Sequence, residues 1–386
     1  MTGARAFAIL TLAVCLGQFT WAQGSSASHS YLMYVGTYTG PESKGIYAFR
    51  FDPHEGRLSS VGLAAETTNP SFLAVDRQQR FLYAVNEISD FKGENSGGVS
   101  AFSIDHKTAR LALLNEVSSR GAGPCHVSLD STGKYVLVAN YDGGSVAVFP
   151  VLPDGRLGER SGFAQHRGHG PNAERQAGPH AHEIQMSPDN RFALVADLGL
   201  DRLLVYRLDP AHGTLTANEP PSVLVEPGAG ARHFDFHPDR KHVYVLNEMG
   251  GKITGLTYDA EKGSLRNEQL ISSLPRDYKG HNDSAEIAVS RDGRFLYSSN
   301  RGPDDIAVFA VEAGKGTLRL IEHVSTKGKT PRNFAIDPTG QYLLVANQDS
   351  NNIVVFRIDP KSGRLTATAE TIAVPSPVCI VFVNAE

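Results

Sequence analysis

The sequence predicts an all-β fold, a seven-bladed β-propeller of four-stranded blades whose ring is closed by the C-terminal strand joining the N-terminal blade. One observation is a β-rich apolar segment that ends on Asn or a small polar residue and recurs seven times. Its copies end at positions 36, 86, 140, 197, 247, 300 and 347, so they step by 47 to 57 residues. Another is a second alternating segment after each copy, running into a tight turn before Leu. The third concerns the chain ends: residues 375–382 resemble the innermost strands, such as 70–75. The chain therefore starts on a second strand and finishes on a first one, which leaves the ring without an open seam.

The first repeated segment covers residues 31–36, 81–86, 135–140, 192–197, 243–247, 295–300 and 342–347. The second covers 46–52, 99–105, 146–152, 203–209, 253–259, 306–312 and 353–359. Six of the seven following turns place Gly two residues before the Leu (Gly56, Gly155, Gly213, Gly263, Gly316 and Gly363), and Ala109 is the exception. Glycine there supplies the positive φ of a tight hairpin. Strands at even spacing without helical periodicity favour a propeller over a sandwich or a β-helix. The missing Trp-Asp signature argues against the WD40 type.

The N-terminus reads differently. Arg5 precedes an apolar run over 6–16, and Thr20-Trp21-Ala22 leads into a Gly/Ser-rich stretch. This is the pattern of a secretory signal over residues 1–22, cleaved near Ala22, followed by a flexible linker over 23–30 and the propeller over 31–386. The run is too short for a bilayer-spanning anchor. Val14 before Cys15 does not suit a lipoprotein signal. The protein is thus expected to be exported, periplasmic or secreted, free of the membrane after cleavage, and monomeric. Cys125 and Cys379 fall on inner strands two blades apart, too far for a disulfide. The net charge of −4, with no basic block, argues against nucleic acid as a partner.

Function is sought where the blades differ. Adjacent strands are antiparallel, so inner strands begin, and second strands end, around the same mouth of the channel. The recurring Asn of the second strands is read as a turn-capping residue, although Asn140 is kept among the candidate substrate contacts. The varying positions give a ring of His126, His182, Arg232, Glu248, Glu286, Arg301 and Arg332. Strand alternation predicts that one residue of each inner pair, such as Cys125-His126 or His182-Glu183, faces the channel. Ionisable residues at the start of a buried strand are costly unless paired or used. The cluster suits an anionic, oxygen-rich small molecule: guanidinium forks match carboxylate or phosphate, and His and Glu move protons near neutral pH. Two long connections, 158–179 and 272–284, should overhang this mouth. The first carries His166, His169, Asn172, Arg175 and Gln176, of which Arg175 is the substrate-binding candidate. His180 and His182 share a strand face but lack a third metal ligand. No nucleophile elbow, zinc-protease or phosphate-loop motif is present.

At these residues the chain resembles the seven-bladed lactonase family of bacterial 6-phosphogluconolactonases, related to the fungal carboxymuconate cyclase. The resemblance runs from about Tyr31 to the C-terminus. It includes Tyr34-Val35-Gly36-Thr37-Tyr38, Gly123-Pro124-Cys125-His126, Arg175-Gln176 and Pro179-His180-Ala181-His182-Glu183. It continues through Gly228-Ala229-Gly230-Ala231-Arg232-His233, Asn247-Glu248, Ala285-Glu286-Ile287, Ser299-Asn300-Arg301 and Thr330-Pro331-Arg332. It implies hydrolysis of a sugar lactone without metal or other cofactor. In the matching mechanism His182 or Glu286 is the base and Arg232 or Arg301 stabilises the oxyanion. Arg332 and His126 would hold the acid or phosphate end of the substrate. A lactonising cyclase running the reverse chemistry and a non-catalytic propeller like those of surface-layer proteins are the alternatives.

Overall fold

The computed structural model describes residues 1–3 and 30–385. The expected signal segment and linker lie outside the described residues, apart from 1–3 and Ser30. Seven separate four-stranded antiparallel sheets form the blades of a ring, with no helix among the described residues. Blade 1 is composite: Pro377–Asn384 is its inner strand and pairs antiparallel with Tyr31–Thr37, Leu32 opposite Val383. The closure read from the chain ends is therefore the one observed. The inner strands of blades 2 to 7 are Leu73–Val75, Pro124–Leu129, Ala181–Met186, Ala231–Phe236, Asp283–Val289 and Pro331–Ile336.

Packing between blades explains the recurring glycine. Gly56, Gly155, Gly213, Gly263, Gly316 and Gly363 all have φ between 65° and 86°. A Cβ on Gly155 would lie 2.3 Å from the Phe81 ring of blade 2, and one on Gly363 would lie 2.4 Å from the Phe295 ring of blade 6. These turns thus need both a left-handed backbone and the absence of a side chain. Ala109 keeps the same turn at φ 57° and carries the conformational cost. The recurring Asn is structural as well. Asn300 donates to the Ser273 carbonyl and to Asp305, and Asn247 donates to Thr254. Asn140 belongs with them, which corrects its place among the substrate contacts. It is fully buried and its Nδ2 bonds the Ser119 carbonyl and Ser145 Oγ, tying the strand end to the connection from blade 2 and to its own blade.

A further regularity decides the site. Blades 3, 4, 5 and 7 carry an irregularity in the first residues of the inner strand. Pro124 pairs with Asn140 while His126 pairs with Ala139, and the same shift occurs at Ala181/Glu183, Ala231/His233 and Pro331/Asn333. Blade 6 has a related slip between Ser284 and Ile287. Cys125, His182, Arg232 and Arg332 are the extra residues. A bulge re-aims the side chain it carries, so the period of two fails in the part of the strand that faces the channel. Cys125 and Cys379 are buried free thiols, as their strand positions imply.

Candidate active site

The upper mouth, where inner strands begin, opens into a narrow cavity lined by Ser71, Phe72, Glu87, Cys125, His182, Arg232, His233, Arg332, Asn333 and Val378. Because of the bulges, adjacent residues both reach this cavity: Arg232 with His233, and Arg332 with Asn333. His233 and Asn333 were missed in the sequence because strict alternation allows only one of each pair.

Two imidazoles meet on the cavity wall. The His182 and His233 rings are 5.1 Å apart, edge to face, and each keeps one buried nitrogen without a partner among the described residues, Nδ1 of His182 and Nε2 of His233. Burial, reinforced by the Arg232 guanidinium, holds both well below the ordinary histidine value, so both are neutral near pH 7. His233 Nδ1 lies 3.0 Å from Glu286 Oε1, which also accepts the Ile287 N–H. Glu286 Oε2 accepts from Asn333 Nδ2. Both oxygens are thus engaged, and burial raises this carboxyl to about 7. That arrangement makes Glu286 a support that orients His233 rather than a free acceptor for a water proton.

Guanidinium groups form the other wall. Glu248 receives Arg175 at 2.5 Å, Arg232 Nε at 2.8 Å and Arg301 at 3.0 Å. Burial opposes its charge, but Arg301, Arg232 and Arg175 together bring its carboxyl down to about 2. Arg232 also donates through Nη1 to the Ala285 carbonyl, so two of its three nitrogens are fixed by protein. Arg301 stands one step back, with Nε on the Asp283 carbonyl, and burial lowers it to about 10. Arg332 donates to Tyr38 Oη at 2.8 Å and lies over that ring, while Tyr38 donates in turn to the Glu87 carboxylate. Glu87 and Tyr38 went unassigned in the sequence, yet Asn86-Glu87 closes the second strand of blade 2 as Asn247-Glu248 closes that of blade 5, a signal that was present.

Arg175 comes from the long connection over 158–179, and it reaches both Glu248 and Asp283. His166 pins that loop: its Nδ1 meets Asp197 Oδ2 at 2.6 Å, and both side chains are fully buried. Gln176 adds bonds to the Leu198 carbonyl and to Asp201. His166→Ala should therefore cost about 1.5–3 kcal/mol, the range for a bond to a charged group, and raise KM by releasing Arg175. Thermal unfolding together with steady-state kinetics checks both parts. The connection over 272–284 overhangs as expected, Asn282 Nδ2 reaching the Glu248 carbonyl.

His126 departs from the expectation. It packs on Phe72 with ring centres 4.2 Å apart and lines a separate cavity at the lower mouth, with Glu183, Asp130 and Gln185. It holds the same position after its bulge as His233 and Asn333 do, but in blade 3 that side chain packs on Phe72 and lines the lower cavity. His126 therefore does not line the upper cavity with Arg332. His180, the other half of the weighed metal pair, stacks on Tyr141 and bonds its carbonyl. Among the described residues, the three-donor cluster compact enough for a metal is His237, Asp239 and His242, at the opposite end of blade 5.

The family described as the seven-bladed β-propeller lactonases matches residues 32–382. The chain belongs to that family. It is 41% identical over 354 residues to the 6-phosphogluconolactonase of Bacillus subtilis (strain 168), covering 92% of this chain and 99% of that one. It is 35% identical over 346 residues to the 6-phosphogluconolactonase of Formosa agariphila, covering 89% and 96%. Among solved structures, the periplasmic gluconolactonase of Pseudomonas aeruginosa superposes with a TM-score of 0.87 at 36% identity, covering 92% of this chain and all of that one.

Proposed function

We propose that this protein hydrolyses a sugar lactone by adding water to the lactone carbonyl in the upper cavity. The observation that carries the reading is a neutral His182 whose Nδ1 is buried and unpartnered beside the Arg232 guanidinium. His182, or His233 backed by Glu286, takes a proton from the attacking water. The new C–O bond pushes the carbonyl electrons onto oxygen, and Arg232 stabilises that oxyanion, with Arg301 holding Glu248 in place behind it. Collapse breaks the ring C–O bond, and the imidazolium returns its proton to the leaving alkoxide. Arg332, set by Tyr38, binds the anionic or oxygen-rich end of the substrate, and Arg175 closes the rim.

The chemical class is an aldonolactone acted on by a monomer outside the cytoplasm, after removal of residues 1–22. Support for export comes from the charged, apolar and small-residue order of the N-terminus and from the likeness to a periplasmic gluconolactonase. An exported enzyme meets plain lactones more readily than phosphorylated ones, so gluconolactone is expected to be the better substrate than its 6-phosphate.

A pH-stat assay of the mature protein on both lactones tests this. His182→Ala is expected to lower kcat by about 10²–10⁴-fold, the range for general-base catalysis. Arg332→Ala should act mainly on KM. Unchanged rates in both variants would overturn the assignment.

A further inference from the structure

We propose that the proton set free in each turnover leaves the site downward, through His126 and Glu183, into the cavity at the opposite mouth of the channel. The proposal rests on the lactonase reading. Adding water to a lactone gives a hydroxy acid, and near neutral pH that acid ionises, so each turnover produces one carboxylate and one proton. Water supplies every atom added, and no other reactant is needed.

The upper mouth is a poor way out. Product occupies it, guanidinium groups surround it, and its carboxylates are already engaged. Glu248 holds three arginines, and Glu87 accepts the Tyr38 hydroxyl, which lies within 3.0 Å of both its oxygens. The opposite direction is built differently. In four consecutive blades, the residue two positions after the first paired residue of the inner strand, or its counterpart in blade 6, is titratable: His126, Glu183, His233 and Glu286. His233 touches His182 at 5.1 Å and His126 at 5.7 Å between ring centres. His126 Nε2 then lies 3.7 Å from Glu183 Oε1. His126 and Glu183 both line the lower cavity, and Phe72 borders both cavities as the partition between them.

Glu183 has no other evident reason to be acidic. It is 6% exposed and has no Lys or Arg in ion-pair distance among the described residues, and its Oε2 accepts the Phe234 N–H, a task an amide would perform. The groups facing it are His126 from blade 3, Arg232 and Asp235 from blade 5, and Glu286 from blade 6. Burial, with the nearby Glu286 carboxyl, holds it well above the usual carboxylate range, so it holds a proton more readily than an exposed glutamate does. Burial holds His126 well below the ordinary histidine value, so it rests neutral and would carry a proton only in passing to Glu183.

The test is hydrolysis of gluconolactone by Glu183→Gln and His126→Gln in weakly buffered solution. Glutamine at 183 keeps the acceptor for Phe234, so the fold should hold, and circular dichroism and thermal unfolding check it. The expected result is a fall in kcat of about tenfold, below the full loss of a general base, with KM unchanged. Adding a small buffer such as imidazole or formate should restore the rate, which no purely structural defect would allow. Wild-type kcat in both variants without buffer would overturn the relay, and so would a loss that buffer does not restore. If the wild-type protein opened no lactone at all, the lactonase reading would fall, and the relay with it.

Discussion

Replacing Arg232 with Ala lowers kcat on gluconolactone by about 10²–10³-fold, the cost of removing one preorganised oxyanion donor. The guanidinium is 2% exposed and held at Nε by Glu248 and at Nη1 by the Ala285 carbonyl, so it is aimed before substrate arrives. Groups fixed in this way need no reorganisation as charge develops on the carbonyl oxygen. Arg232→Lys should recover little, because an ammonium keeps the charge but cannot hold both anchors and still face the cavity. Steady-state kinetics on the two variants decides the matter. A kcat close to wild type in Arg232→Ala would remove this residue from the mechanism and leave Arg332 as the remaining guanidinium on the cavity wall.

The largest effect on stability is expected at Glu248. Glu248→Ala leaves Arg175, Arg232 and Arg301 without their common acceptor, and breaking such a buried network costs about 3–5 kcal/mol. The pH dependence follows from the same contacts. The carboxyl has its ordinary value of 4.5 in the unfolded chain and about 2 in the folded one. Its contribution is therefore complete above about pH 4.5 and is lost as pH falls toward 2. Urea unfolding of the wild type should show a midpoint that drops over this window. Glu248→Gln should begin from a lower midpoint at pH 7 and lose less of it on acidification. Parallel acid curves for the two proteins would contradict the role given to the three-arginine hub.

How far the chain announces itself differs between scaffold and site. Blade number, strand order and ring closure were legible because they rest on local, repeated requirements. A second strand starting on an aromatic residue, as at Phe81 and Phe295, needs a glycine in the neighbouring blade's hairpin, and that pairing recurs at six blade junctions, Ala109 standing at the seventh. Departures from the repeat located the channel mouth, and His182, Arg232 and Arg332 do line one cavity there. The same reasoning failed at His126, which faces the other way, and at Asn140, which obeys the repeat it was briefly separated from.

What the sequence by itself determined is a ring of seven four-stranded blades with charged residues gathered at the inner-strand starts, since periodicity and turn chemistry act over a few residues. Which of those side chains meet was decided only in the tertiary structure. A bulge in an inner strand leaves no mark in an alternation pattern, yet it is what brings Arg232 and His233 to the same cavity. The contacts that give them chemistry are likewise long-range. Glu248 gathers arginines from a loop, from its own blade and from the next, and Glu286 orients a histidine 53 residues away.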